Sequence, residues 1–428
     1  MRILFLGINY WPEETGIAVF NTGRCEYLAA CGHQVTICTG FPYYPQWQVA
    51  TPYRGRLFTR EVRNGVTLLR SYLYVPCRVT AVKRVLHEAS FIVSSCLRAS
   101  TAQRPELLVT VSPPLGLALS TILLSRLWQV PYVFHVPDLQ PDAALDLGML
   151  PAGKVGKVLY ALERMAYRHA GLISTLTETM QNRIVSKGVP AEKVTLFPDW
   201  VDPACFSVPV TDEGQAFRRA HGLDGQFLMV HCGNMGVKQG LEVILGAAER
   251  SRDRPDLTYL LVGDGAARPT LEERTKALRL ANVRFLPLQP KEVFCDLLAA
   301  ADVCLVTQRK TVMDIVFPSK VITLLAAGRP VLASVNTDSE VARVVRGAKA
   351  GDVVAAEDPQ ALLAAILKLR ALPETARLMR INGRIYARGH WEREQTLAAM
   401  EDRLLQMIGE NPSVRREDVV ASPDEMRA

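Results

Sequence analysis

Val316-Phe317-Pro318-Ser319-Lys320 is the stretch of this chain whose residue types point most directly to chemistry. A proline turn with a hydroxyl and a cation opens the apolar run Val321 to Ala327, which stops at Gly328-Arg329-Pro330 and leads into Val331-Leu332-Ala333-Ser334. As turn, helix, glycine stop and strand, it aims the backbone N–H groups of residues 319 to 321 outward at the positive end of a helix, and Lys320 adds a full charge. Such a unit suits a diphosphate. The plainer reading, a helix start and a helix stop of the kind found in every α/β protein, fits the same letters, so the surrounding sequence has to decide.

Two more loops have the same character. Cys232-Gly233-Asn234-Met235-Gly236-Val237-Lys238-Gln239-Gly240-Leu241-Glu242 follows an apolar run and places three glycines and a lysine at a helix opening, again suited to a diphosphate. Gly7 to Ala18 is a long loop in which Gly16 lets backbone approach a ligand closely. It does not spell G-x-G-x-x-G, so no dinucleotide fingerprint is present. Each loop alone also reads as a tight strand-to-helix turn; two such loops with Ser319-Lys320 as a third element favour function. In His135-Val136-Pro137-Asp138, a histidine ending a strand can hydrogen-bond a substrate hydroxyl, and a carboxylate three residues on can accept a proton. The candidate catalytic set is therefore His135, Asp138 and Lys320. The candidate diphosphate-binding set is Gly16, Gly233, Asn234, Gly236, Lys238, Gln239, Gly240, Ser319 and Lys320. No D-x-D pair occurs, so neither a metal nor another cofactor is expected.

Length and composition set the frame for these residues. At 428 residues the chain exceeds a usual single domain, and 49% hydrophobic with 22% charged residues describes a globular enzyme. Its longest apolar stretch, Leu115 to Leu124, is short of the roughly 20 residues of a membrane span. The N-terminus runs straight into a strand without signal-peptide features, so a cytoplasmic protein is expected. Nine cysteines without a C-x-x-C pair read as buried reduced thiols.

Charge is unevenly placed. Residues 1 to 137 hold 13 Lys and Arg against 6 Glu and no Asp, while the rest of the chain carries 37 of each sign. Much of the excess lies between Arg54 and Arg104, interleaved with Tyr72, Tyr74, Leu86, Phe91 and Ile92. Arg78, Lys83, Arg84 and Arg98 are thus candidates for contact with a lipid-linked phosphate or the inner face of an anionic membrane, and an ordinary solvated basic helix is the equal alternative. No nucleic-acid motif accompanies the charge, and no nucleic-acid partner is expected.

Short β-branched runs alternate with helical patterns throughout, the signature of βαβ units. Strands are expected near Ile3 to Ile8, Gln34 to Thr39, Leu107 to Val111, Tyr132 to Val136, Leu172 to Thr175 and Val194 to Phe197. A linker at Pro198 to Pro203 and Pro209 to Gln215 separates these from a second series near Phe227 to His231, Leu260 to Gly263, Val283 to Leu286, Val303 to Val306, Val331 to Ser334 and Val353 to Ala355. The fold class is α/β, two Rossmann-like doubly wound parallel-sheet domains facing an interdomain cleft. The expected division is 1–200, a first Rossmann-like domain; 201–388, a second Rossmann-like domain; 389–408, a C-terminal helix that could return to the first domain; and 409–428, a disordered tail.

Together these elements resemble the retaining glycosyltransferases of the GT-B fold, family 4, over about residues 1 to 405. Within that family the chain is similar to the WcaI-like and WbuB-like enzymes of colanic acid and other exopolysaccharide synthesis. The matching segments are Gly7-Ile8-Asn9-Tyr10 with Pro12-Glu13 and Thr15-Gly16-Ile17, Pro42-Tyr43-Tyr44-Pro45-Gln46-Trp47-Gln48-Val49, Phe197-Pro198-Asp199-Trp200, Gly233-Asn234-Met235-Gly236 with Gln239-Gly240-Leu241-Glu242, and Pro318-Ser319-Lys320. The resemblance implies sugar transfer from a nucleotide-sugar donor held by the second domain to an acceptor held by the first. In the WcaI-like group the implied donor is GDP-fucose and the acceptor an undecaprenyl-diphosphate-linked saccharide, which makes the enzyme peripheral to the cytoplasmic membrane. Departures stand beside the match: Ile315 and Thr323 occupy the two glutamate positions common in family 4, Asn234 replaces its arginine, and Gln239 its lysine, with Lys238 adjoining. Two other readings remain at this point: a sugar-nucleotide epimerase of the same twin-sheet architecture, and a non-catalytic homologue that lost those glutamates.

Overall fold

The computed structural model describes residues 1–14, 16–142, 153–207, 214–311 and 320–409. The expected tail lies outside the described residues from position 410 on, as do Ile315, Pro318 and Ser319. The chain forms two compact units, one running to Pro198 and resuming at Glu394, the other running through Asp199–Arg393.

The first unit is built on eight strands: β1 (Arg2–Leu6), β2 (Gln34–Gly40), β3 (Phe58–Arg63), β4 (Val66–Ser71), β5 (Leu107–Val111), β6 (Tyr132–Val136), β7 (Leu172–Thr175) and β8 (Val194–Leu196). Their order is β3-β4-β2-β1-β5-β6-β7-β8, with Leu4 of β1 opposite Thr36 on one side and Leu108 on the other. Every residue of β5, β6 and β7 is buried, which is why those strands read as unbroken apolar runs rather than alternations. Helices α1 (Ile17–Ala30), α2 (Ala81–Ala99), α3 (Leu117–Trp128), α4 (Lys154–His169) and α5 (Glu178–Ser186) make the crossovers. Thr80 and Thr177 start α2 and α5 by accepting the N–H groups of Lys83 and Met180.

The hairpin β3-β4 departs from the sequence reading, which treated residues 54 to 104 as one basic segment without strands. Asn64 and Gly65 both take positive φ, 44° and 77°, as a two-residue hairpin turn requires. β3 runs antiparallel at the sheet edge and alternates exposed with half-buried residues, so it lacks the apolar run that marks the other strands. Arg70 of β4 is fully buried, and its guanidinium donates to Trp11 O at 2.6 Å and to Glu61 at 3.1 Å beneath the Tyr53 ring. That arginine ties the loop after β1 to the hairpin.

The second unit has six strands, β9 (Phe227–Cys232), β10 (Leu257–Val262), β11 (Val283–Leu286), β12 (Val303–Thr307), β13 (Val331–Val335) and β14 (Gly351–Ala355). All are parallel, in the order β11-β10-β9-β12-β13-β14. Apolar cores fill both faces, one centred on Val230, Leu298 and Val321 and one on Met229, Ile244 and Leu261. Helix α6 (Lys320–Ala326) contributes Val321, Ile322, Leu324 and Leu325 to the first of these.

The last helix, α7 (Arg393–Met407), belongs to the first unit. Its Glu401 carboxylate lies 2.9 Å from His33 Nε2 and accepts the Tyr27 hydroxyl at 3.4 Å. Gly171 gives Met407 room, since a Cβ there would come within 2.5 Å of the methionine Cε.

A buried ionic cluster braces the loop after β6. Lys187 bonds the carboxylates of Asp142 and Glu163, the latter at 2.8 Å, and both acids are almost fully buried. Burial raises Glu163, and Lys187 opposes that rise. Replacing Lys187 with Met takes the cation from buried Glu163, while Asp142 keeps Arg183 at 3.0 Å, and a loss of about 3–5 kcal/mol in denaturant unfolding is expected; a change under ~1 kcal/mol would mean that the cluster does not brace this region.

Candidate functional site

In the second unit, two glycine-bearing loops meet at the carboxyl ends of β9 and β10. Gly233 N–H donates to Val262 O at 2.9 Å, and Met235 N–H donates to Asp264 O at 2.8 Å. Gly263 and Gly265 have φ of 141° and 152°, and a Cβ on Gly263 would sit 1.9 Å from Gly233 O. Only residues without a side chain let these loops pack so closely. Gly263-Asp264-Gly265 went unremarked in the sequence reading, although a G-D-G directly after an apolar strand is a visible signal.

Lys320 and Gly233 come together here. They line a cavity of about 220 Å³ with Cys232, Thr323 and Leu324, and its far wall is made by Val262, Leu288, Gln289 and Phe294. That volume is below the roughly 300–1,000 Å³ of a complete ligand site, so it has room for part of a drug-sized ligand and not a whole one. Part of the Lys320 side chain reaches the surface, but its Nζ is buried and has no hydrogen-bond partner among the described residues. Burial lowers its pKa to about 8, with the Cys232 thiol acting weakly in the other direction. His231 is buried close by and held far below the usual histidine range, first by burial and then by the Lys320 charge. Backbone groups of Leu305 and Asn234 approach the His231 ring, but neither ring nitrogen makes a hydrogen bond of good geometry. A neutral histidine cannot compensate the lysine. An uncompensated buried cation beside a cavity is a site that an anion completes.

The other donor-binding candidates shape this site without lining the cavity. Gln239 accepts the Gly236 N–H on its own side chain at 3.1 Å, and its carbonyl accepts the Thr307 hydroxyl at 2.6 Å. Gly240 takes φ of 55° against the Arg309 side chain. Lys238 is half-buried, and its carbonyl accepts the Arg309 N–H at 2.9 Å, while Asn234 is exposed. Arg309, a residue the sequence reading passed over, also donates from Nε to Val237 O at 2.8 Å, so it pins the loop from the end of β12. The cue was a Gln-Arg-Lys run directly after an apolar strand.

Gly16, His135 and Asp138 lie in the first unit. Gly16 has φ of 61° at the start of α1. His135 is buried at the end of β6, its Nδ1 2.9 Å from Ser174 Oγ, with the Phe197 ring alongside. Its Nε2 has no partner among the described residues. Burial and the Arg24 charge keep it well below the usual range, so it is neutral near pH 7 and acts as a hydrogen-bonding group and not as an acid. Asp138 is half-buried in the same loop, where Gln140 accepts the Leu115 N–H at 2.6 Å. Glu13, another residue outside the candidate set, accepts the N–H groups of Tyr43 and Tyr44 at 2.8 Å each and the Asn9 amide, joining the loops after β1 and β2.

The chain is thus a two-unit α/β protein with a buried cation over glycine loops in its second unit, and comparison with known proteins gives the family. Residues 15–200 match the family described as glycosyl transferase 4-like domain, and residues 226–371 match glycosyl transferases group 1. The chain is 37% identical over 381 residues to WcaI of Escherichia coli (strain K12), a protein named for colanic acid biosynthesis, covering 87% of this chain and 93% of that one. In fold it is similar to sucrose-phosphate synthase from Thermosynechococcus elongatus, with a TM-score of 0.76 at 18% identity over 95% and 98% of the two chains. It is also similar to Anabaena HepE in complex with UDP-glucose, with a TM-score of 0.67 at 16% identity over 95% and 100%. The chain belongs to the family 4 glycosyltransferases of the GT-B fold.

Because Gly263 is held at positive φ against Gly233 O, Gly263→Ala is expected to weaken nucleotide binding at least ~10-fold and to cost about 1–3 kcal/mol. Isothermal titration and thermal unfolding read the two effects. Unchanged nucleotide affinity would show that the loop contact does not place the site.

Proposed function

We propose that this chain transfers fucose from GDP-fucose, with retention of configuration, to an undecaprenyl-diphosphate-linked saccharide in exopolysaccharide biosynthesis, at the cytoplasmic face of a membrane. The observation that carries the reading is the buried Lys320 Nζ, without a partner among the described residues, over Gly233, Cys232 and Thr323. In transfer, the bond from the anomeric carbon to the diphosphate oxygen breaks, negative charge gathers on the leaving diphosphate, and an acceptor hydroxyl forms the new glycosidic bond. Lys320 neutralises that charge in a water-poor cavity where a cation is most effective. Neutral His135 orients a hydroxyl, and Asp138 takes the proton that the acceptor loses. No step calls on a metal.

Similarity to WcaI, a protein named for colanic acid biosynthesis, supports a role in exopolysaccharide synthesis, and the sugar and acceptor proposed are those that the resemblance to WcaI-like enzymes implies. The excess positive charge of residues 1 to 137 supports an acceptor with a diphosphate at an anionic surface. Thr323, at the family's second glutamate position, lines the cavity one helical turn from Lys320. Donor recognition therefore rests more heavily on the lysine than it does where a glutamate also binds.

Lys320→Ala is expected to lower kcat on the order of 100-fold or more, with thermal unfolding retained; turnover near that of the wild type would overturn the assignment. In a panel of GDP- and UDP-sugars, GDP-fucose at 100 times its dissociation constant should add about 2.7 kcal/mol of stability. Stabilisation by UDP-sugars alone would reject the guanine donor, and conversion of a sugar nucleotide without acceptor would reassign the enzyme as an epimerase.

A further inference from the structure

The first unit exposes aliphatic side chains in an order that a solvated surface does not explain. On α2, His87, Phe91, Ser94, Ser95 and Ala99 face the sheet. Val82, Val85, Leu86, Val93 and Leu97 are 53–71% exposed, and at about 100° per residue they project from the opposite side of the helix. An ordinary surface helix places polar residues there.

α3 repeats the pattern. Leu119, Leu123 and Leu127, spaced by four, are 48–66% exposed, while Leu117, Ala118, Thr121 and Leu124 are buried. The two helices are neighbours: a Cβ on Gly116 would come within 2.5 Å of Ile92 Cδ1, and the Ser120 hydroxyl donates to Ile92 O at 3.2 Å. α3 in turn packs against α4, which exposes Val155 and Val158. Single exposed aliphatics are normal, but stripes on three adjacent helices of one layer are not.

The charges around these stripes select the occupant. Arg78, Lys83 and Arg84 are exposed at the start of α2, Arg126 on α3, and Lys157 and Arg164 on α4. α2 has one acid, Glu88, already bonded to Arg84 at 3.3 Å, and α3 has none. Arg98 is not part of this surface, because its guanidinium packs over Phe58 and donates to Thr59 O. A second copy docked on this face would set cations against cations. An anionic bilayer offers both hydrocarbon for the stripes and phosphate for the cations.

We infer that the outer face of α2, α3 and α4 docks on an anionic lipid bilayer, with the first two turns of α2 as the main inserting element. This rests on the reading that the acceptor is membrane-borne, and it adds the surface that meets the lipid. Full-length protein is expected to float with phosphatidylcholine vesicles containing phosphatidylglycerol, and at least about tenfold less with phosphatidylcholine alone. The variant Val82→Ser/Val85→Ser/Leu86→Gln should lose at least about tenfold in partitioning while its thermal unfolding and nucleotide binding stay as in the wild type. A second variant, Leu119→Gln/Leu123→Gln/Leu127→Gln, is expected to lose partitioning as well. Failure of the wild type to float, or flotation of both variants at the wild-type level, would overturn the inference. A wild-type dimer in sedimentation that the variants dissociate would overturn it too and assign the face to a second copy. Sugar transfer to a water-soluble acceptor analogue without flotation would reject this surface and leave the transfer reading intact, whereas flotation without any transfer would do the reverse.

Discussion

A lysine whose ammonium is buried with no partner among the described residues is the constraint around which the second unit is arranged. Taking a cation out of water is unfavourable, and the protein provides no carboxylate against Lys320 among the described residues. Among the described residues, the titratable groups that feel its charge are His231, itself held neutral, and the Cys232 thiol, which burial raises to about 11. As far as the described residues go, the site is electrostatically unfavourable until an anion arrives. The glycine loops explain how that anion comes close, since the contact of Gly263 with Gly233 O leaves no room for a side chain at the floor of the site.

The first unit solves a different problem, holding polar loops over a sheet that is buried on both faces. Arg70, Glu13 and the Lys187 cluster each satisfy several backbone or carboxylate groups at once. Such groups cost stability if left unpaired and fix one loop arrangement when paired. Among the described residues no helix is long and apolar enough to cross a membrane. The apolar surface of this unit lies instead in stripes along helices that are buried on their other side.

Much of the fold was legible because parallel strands buried on both faces must be apolar runs, and each expected strand has a counterpart in the structure. The hairpin β3-β4 was missed because its edge strand is half-polar, and its Asn64-Gly65 turn was passed over among the surrounding arginines. Of the donor-site letters, Gly233 and Lys320 line the cavity, whereas Gln239 and Gly240 shape the loop beside it. Sequence spacing identifies a loop at a strand end, but it cannot say which side chain faces the ligand and which faces Arg309. Ser319, which would complete the turn, lies outside the described residues. The stripes on α2 and α3 were hidden for a related reason: a helix apolar on two faces has the composition of a buried helix.

The central claim is that Lys320 holds the donor diphosphate as a cation, and the dissociation constant of GDP as a function of pH tests it most directly. With the lysine lowered to about 8 in the free protein, affinity should be constant between that pH and roughly pH 7, above the range where the terminal phosphate of GDP is protonated. Above it, affinity should weaken toward about tenfold per pH unit as the free lysine loses its proton. Lys320→Arg, which stays charged, should flatten the upper limb. A wild-type affinity that stays constant through pH 8 to 10 would contradict the account.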